Sequence, residues 1–264
     1  MKRREAIDKL LVASSMSIYG EGQHGNPVTG ETGLAPGLRP DGQLKRRQWD
    51  VLADDGTALE PEPTAETKPL RPTSVYAVDK RDHEEMTLAV VAAYDIPAVA
   101  LRFFNVYGAR QSLANPYTGV AAIFASRLLS HNAPLVFEDG GQTRDFIDVR
   151  DIVRACELAL MGAGADGRAV NVGTGRATSV LDVASVLAEG LGVAVAPEVV
   201  GQFRAGDIRH CFADTRLAEE LLGFSAEILF EDGMRDLLDW LAGQQAVDRV
   251  DSALEALASR GLTR

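Results

Sequence analysis

Blocks of apolar positions with different periods follow one another along the chain and predict strands and helices in turn. Residues 8–15, DKLLVASS, form an apolar run that closes in small polar residues, the pattern of a parallel strand covered on both faces. Residues 74–95 space their apolar side chains for a helix, and residues 97–108, PAVALRFFNVYG, return to a strand ending in a turn. Strand, helix, strand in that order is a β-α-β unit of a parallel sheet. Further on, residues 120–130 read as a helix, 133–140 as a strand, 149–161 as a helix and 168–175 as a strand. Ser179 and Asp182 then stand in capping-box spacing at the start of another helix, and the tail from residue 215 is mostly helical.

Residues 20–72 break this rhythm. They are crowded with glycine, proline and charge and read as a long surface excursion, which in a compact domain is a functional insert or a partly mobile segment. Residues 162–167, GAGADG, satisfy G-x-G-x-x-G literally. A dinucleotide fingerprint must follow a strand and open a helix, whereas here a helix precedes and a strand follows, so the stretch reads as a glycine-rich helix stop.

At 264 residues, 46% hydrophobic and 25% charged, the chain has ordinary globular composition. A formal charge of −11 argues against a nucleic-acid or anionic-membrane surface, both of which need clustered lysine and arginine. The apolar run near the N-terminus is only LLVA, with Glu5, Asp8 and Lys9 beside it, too short for a signal core or a bilayer span. Cys156 and Cys211 lack a C-x-x-C partner and read as free thiols of a cytoplasmic protein. The four histidines, His24, His83, His131 and His210, show no metal-ligand spacing.

Tyr76 and Lys80 are the first chemical signal. Four residues apart on a helix, they share one face. A phenol with an ordinary pKa of about 10 is a poor base at neutrality unless a cation stabilises the phenolate, and Lys80 could supply that cation. By itself such a pair is equally surface decoration.

Six segments together resemble a known family. ASSMSIYG, PTSVYAVDK, LRFFNVYG, RDFIDVRDI, NVGTG and RAGDIRHCFADTRLAEELLGF occur in this order across essentially the whole chain, as in the extended short-chain dehydrogenase/reductases, specifically the nucleotide-sugar epimerases and dehydratases. The resemblance implies an α/β fold: the C-terminal part of a doubly wound, Rossmann-like parallel sheet, with a smaller mixed α/β substrate-binding lobe. It divides the chain into a partial NAD-binding core over residues 1–110 and a sugar-nucleotide lobe over 111–264, interleaved with the last core strands. It implies that Ser15 hydrogen-bonds the reacting hydroxyl, that Tyr76 is general base and acid, and that Lys80 binds the nicotinamide ribose. Phe103 falls where the nicotinamide packs. Asn105, Arg144 and Arg204 match residues that hold the sugar diphosphate, Asp207 matches a carboxylate near the nucleotide ribose, and Val120 and Phe137 lie in segments that line the nucleotide. The phenylalanines and Val120 read equally well as core.

The family's 4,6-dehydratases carry Asp and Glu directly after the matched Ser or Thr, and its sugar-acid decarboxylases keep an acid there. Here those positions are Met16 and Ser17, so the resemblance implies epimerisation, at C4 of a UDP- or dTDP-hexose, with NAD as cofactor and a homodimer as the assembly. A keto-sugar reductase, or a non-catalytic homologue that still grips a nucleotide diphosphate, is the alternative. In the family the glycine-rich first turn and its strands precede the serine strand, roughly 100 residues as three β-α units. Only fourteen residues precede Ser15, so the chain reads as a fragment or mis-started reading of a complete enzyme. Purified alone, it is expected to hold no NAD, to turn over no sugar and to be prone to aggregate at its uncovered sheet edge.

Overall fold

The computed structural model describes residues 7–113, 119–244, 250, 255, 258–261 and 263. Its centre is a parallel sheet of three strands, β1 (Leu10–Ser15), β4 (Ala98–Phe103) and β9 (Arg168–Val172), in the order β1-β4-β9. The register sets Ser15 opposite Phe103 and Phe103 opposite Val172, so the three C-terminal ends lie level. Between β1 and β4 the chain forms a 3-10 turn (Met16–Tyr19), β2 (Gln23–Gly25), a short helix α1 (Asp41–Lys45), β3 (Glu60–Glu62) and the long helix α2 (Val75–Tyr94). Ser74 caps α2 by accepting from the Ala77 N–H, and Asp95 ends it in the left-handed region at φ 53. Both are the cap chemistries expected of those residue types.

Alternation along β4 sorts the covering helices. Val99 and Leu101 pack with Ile152, Ala155 and Ala159 of α4 (Val149–Met161) and with Ala218 of α6 (Arg216–Leu222). On the opposite face Ala98 packs with Val91 of α2, and Arg102 pairs with Glu84 of the same helix. β4 is buried at every position but Phe103, whereas β1 is only half-buried along most of its length. β1 pairs with no second strand among the described residues.

A second core forms the lobe. It gathers helices α3 (Val120–Leu129), α5 (Val180–Gly190) and α7 (Phe230–Leu241) around Phe124, Leu128, Leu187, Met234 and Leu241. Short strands frame it: β5 (Asn105–Tyr107) with β8 (Phe146–Asp148), β6 (Leu135–Val136) with β11 (Glu198–Val199), and β7 (Thr143–Arg144) between β10 (Thr178–Ser179) and β12 (His210–Cys211). Ser179 caps α5 by accepting from the Asp182 N–H at 3.0 Å.

One stretch looks different once folded, and a second ends helix α4 at Gly162 as its glycines imply. Residues 20–72 are built into the body: β2 pairs with β3, Thr64 bridges to Ala213, and His24, Arg39, Gln43, Leu44, Val51, Thr64 and Lys68 are buried. The excursion is polar because much of what it buries is hydrogen-bonded rather than apolar. Within residues 162–167, a Cβ on Gly164 would stand 2.4 Å from the Leu221 carbonyl oxygen, so that glycine serves close packing between the end of α4 and α6. Among the described residues no helix is long and apolar enough to cross a membrane.

Core sheet and lobe are joined by one carboxylate. Asp145, fully buried, accepts from the Thr174 and Gly175 N–H groups at 2.8 Å, the Thr174 hydroxyl at 2.6 Å and the Ala213 N–H at 3.1 Å. Gly173 leaves room for it, since a Cβ there would lie 2.6 Å from Asp145 Oδ2. A buried charge is tolerated only when its hydrogen bonds are supplied. Replacing Asp145 with Asn sets an NH2 group against these donors, and we expect a loss of about 3 kcal/mol or more in urea denaturation. A loss below about 1 kcal/mol would show that the joint is not held there.

Candidate active site

The level strand ends bring the first set of sequence-matched residues together. Ser15 closes β1 and caps the following 3-10 turn, its Oγ accepting from the Ser17 N–H at 3.2 Å and the Ser17 hydroxyl at 2.9 Å. Lys80 Nζ donates to the Ala13 carbonyl at 2.9 Å, which fastens α2 to the serine strand two residues before Ser15. Tyr76, one turn earlier on α2, has its ring centroid 5.9 Å from Lys80 Nζ and is 57% exposed. Phe103 lies beside Ser15 in register. This is the carboxyl end of a parallel sheet, where open α/β folds place their ligands. Met16 is buried against Tyr19, Phe104 and Ile208, and Ser17 is bonded to Ser15, so neither offers an acid.

A buried polar chain backs this edge, and nothing in the sequence reading pointed to it. The Ser14 hydroxyl donates to Glu84 Oε2 at 2.6 Å, Glu84 takes both Nε and Nη2 of Arg102, Arg102 Nη1 donates to the Tyr19 hydroxyl at 2.8 Å, and Tyr19 donates to Asn171 Oδ1 at 2.6 Å. Burial pushes the Tyr19 phenol well above its ordinary value, so Tyr19 stays a protonated structural donor. The spacing of Glu84 four residues after Lys80, on the face shared with it, was the available signal.

The second set lines a cavity of about 180 Å³ in the lobe, walled by Asn105, Phe137, Gln142, Arg144, Arg204 and Asp207, with Val120 at the start of α3. Arg144 and Asp207, matched separately in the sequence, meet each other: Arg144 Nη2 donates to Asp207 Oδ1 at 3.1 Å and to the Ile208 carbonyl, while Nη1 donates to the Thr143 and Arg209 carbonyls. The Arg204 guanidinium lies 4.2 Å from the centroid of the Phe137 ring, a cation-π stack. Gln142 was not singled out by sequence. Its Nε2 donates to the Phe137 carbonyl at 3.0 Å, while its Oε1, like Asn105 Oδ1 and Arg204 Nε, is buried with no partner among the described residues. Buried groups left unpaired this way cost free energy that an entering ligand can recover.

The wall behind Phe137 is ionic. Glu138, at a left-handed φ of 54, is gripped by Arg39 through two bonds of 2.8 Å and by Arg209 at 3.1 Å. Arg209 also holds Asp139. Below lies a histidine pair. Glu21 accepts from the Arg209 and His210 N–H groups, His210 Nδ1 is 2.8 Å from Thr143 Oγ1, and the His24 and His210 ring centroids are 6.0 Å apart.

Burial, then the nearby Arg209 charge, pushes His210 down to about 3, and burial lowers His24. Both rings are neutral when folded, whereas unfolded they take protons near about pH 6.5. Their contribution to stability is therefore complete above that pH and is lost as pH falls toward His210's folded value, by up to about 1.4 kcal/mol per pH unit for each ring. The Glu21 carboxyl, raised by burial, acts in the opposite direction. We expect denaturation midpoints to fall between about pH 7 and about pH 5, and His210→Gln to flatten that fall. Equal slopes in the two proteins would remove His210 as a cause.

The profile of the NAD dependent epimerase/dehydratase family matches residues 52–173. A dTDP-L-rhamnose 4-epimerase of Burkholderia thailandensis is 36% identical over 249 residues, which are 94% of this chain and 66% of that protein. A putative UDP-glucose 4-epimerase of Methanocaldococcus jannaschii is 32% identical over 72% of this chain and 62% of its own length. Among solved structures, the UDP-glucose 4-epimerase of Thermotoga maritima with UDP-glucose superposes with a TM-score of 0.70 at 28% identity, over 90% of this chain and 65% of that one. The Thermus thermophilus UDP-glucose 4-epimerase in complex with NAD gives 0.66 at 28% identity, over 92% and 67%. The chain thus spans about two thirds of the length of these relatives.

Proposed function

The chain belongs to the NAD-dependent epimerase/dehydratase family, and on that premise we propose that it carries the catalytic residues and sugar-nucleotide pocket of a cytoplasmic 4-epimerase acting on a UDP- or dTDP-hexose. The observation that carries this reading is the convergence of Ser15, Tyr76 and Lys80 at the carboxyl end of β1, with a buried methionine and a bonded serine following Ser15 where an eliminating enzyme needs acids.

The described residues fit the nicotinamide end of NAD. Lys80 is held by one carbonyl at the strand ends, and Phe103, half-buried, closes the neighbouring strand in register with Ser15. Bound there, NAD supplies the acceptor and donor of a hydride at the sugar carbon. The chain does the rest. Ser15 hydrogen-bonds the sugar 4-hydroxyl, Tyr76 takes its proton as the C4–H bond breaks and returns it when the keto group is reduced on the other face, and the Lys80 ammonium stabilises the phenolate between these steps. Arg144, Arg204 and Asn105 hold the diphosphate, and Val120, Phe137 and Asp207 line the nucleoside. A homodimer would cover Val78, Met86, Val90 and Tyr94, an exposed stripe of α2 at near four-residue spacing.

Tyr76→Phe tests the base. In a form that carries the family's glycine-rich dinucleotide-binding segment, turnover of UDP- and dTDP-hexoses with NAD should fall by about 10²–10⁴-fold while calorimetric affinity for the sugar nucleotide stays within about twofold, because the phenol acts on a proton and adds little ground-state binding. Wild-type turnover in the variant would sink the assignment, and stoichiometric consumption of reduced cofactor would make the enzyme a reductase. Arg204→Ala should weaken UDP and dTDP alike, by about tenfold, since its charge addresses the diphosphate and ignores the base. Unchanged affinity for both would take Arg204 out of the site.

A further inference from the structure

We infer that Arg39, carried by the polar 20–72 segment, is a positioning residue of the nucleotide-diphosphate pocket, so that this segment forms part of the binding apparatus; the inference rests on the nucleotide-sugar reading above. Arg39 is 6% exposed, and its guanidinium reaches both walls of the cavity. On one side its two Nη atoms fork onto Glu138 at 2.8 Å each. On the other, Nη2 reaches the Asp207 carbonyl at 3.4 Å, and Nη1 is anchored back on its own segment by the Trp49 carbonyl at 2.8 Å.

Both walls matter for the ligand. Glu138 directly follows Phe137 and adopts a left-handed backbone that a non-glycine residue keeps only when its surroundings impose it. Fixing its carboxylate therefore fixes the direction of the Phe137 ring and of the Arg204 guanidinium stacked on it. Asp207 is the partner of Arg144, so its carbonyl contact steadies the second arginine. A fork of two parallel bonds defines orientation as a point charge does not.

Charge points the same way. Glu138 is 2% exposed, and apart from Arg39 it has Arg209, which Asp139 shares. Removing Arg39 leaves a buried carboxylate under-compensated beside a pocket that must admit a diphosphate. The loss should appear in affinity for the ligand as well as in stability, and neutralising Glu138 should reverse part of it. A contact that served stability alone would leave the affinity of the folded variant unchanged.

The test is calorimetric titration of the whole 264-residue chain with UDP and with dTDP. We expect Arg39→Met to weaken both about tenfold and the Arg39→Met/Glu138→Gln double variant to regain at least a third of that loss on a logarithmic scale. Wild-type affinity in folded Arg39→Met, or a double variant no better than the single, would overturn the inference. If Arg39→Met fails to fold, Arg39→Lys keeps the charge and loses the fork; reduced affinity supports the inference and unchanged affinity overturns it. Failure of the unaltered chain to bind either nucleotide would instead overturn the reading of the pocket, and the inference with it.

Discussion

The arrangement hinges on a charge that has no access to water. Asp145 sits where the core sheet, the lobe and the segment after β12 come together, and its oxygens are taken up by Thr174, Gly175 and Ala213. Burial pushes the Asp145 carboxyl up, and the hydrogen bonds from Thr174, Ala213 and Gly175 act against that shift, because withdrawing a charge from water costs several kcal/mol unless it is fully bonded. The requirement works in both directions. Meeting it places Arg144 next in the chain, and the Asp145 carbonyl accepts from the Asn105 N–H at 2.8 Å, so two pocket residues come from strands that one side chain has aligned.

The same principle recurs at the other polar centres. Glu84 is matched to Arg102 and Ser14, Glu138 to Arg39 and Arg209, and Glu21 to two backbone N–H groups. Each is buried and each ties segments far apart in sequence. Apolar packing builds the two cores but is tolerant of small shifts, whereas a bidentate ion pair fixes direction. That division suits a strand end where Ser15, Tyr76 and Lys80 are carried by separate elements and must keep fixed positions relative to one another. The contrast between Tyr19 and Tyr76 shows it locally: the first is buried, bonded and held protonated, while the second stands exposed beside a lysine.

The parallel β-α-β pattern, the helices and the Tyr76–Lys80 pair were legible in the sequence because each is written in local terms, whereas the strand order was not. Period-two and period-3.6 apolar spacing marks the elements, Ser74, Ser179 and Asp95 mark their ends, and Tyr76 and Lys80 lie one helical turn apart. The decoy at residues 162–167 could be dismissed for the same reason, since the order of helix and strand around it is a local fact. What the 20–72 segment does was not legible. Its glycines, prolines and charges look like surface, and only their partners show otherwise.

Sequence by itself therefore determined the elements, the pairing of Tyr76 with Lys80 on one helix face and the absence of acids after Ser15, because these depend on residue type and on separations of a few positions; Ser15 joined that pair only through the family resemblance. Tertiary structure alone decided that Arg144 pairs with Asp207, that Arg204 lies on Phe137, that Gln142 carries an unpaired acceptor in the cavity wall, and that Arg39 bonds both Glu138 and the Asp207 carbonyl. Those pairings span from 63 to 168 positions where they join distant segments, and the charge on a side chain does not say which opposite charge it will meet. The choice is made when burial removes water as the competing partner, and which groups are buried together is a property of the folded chain.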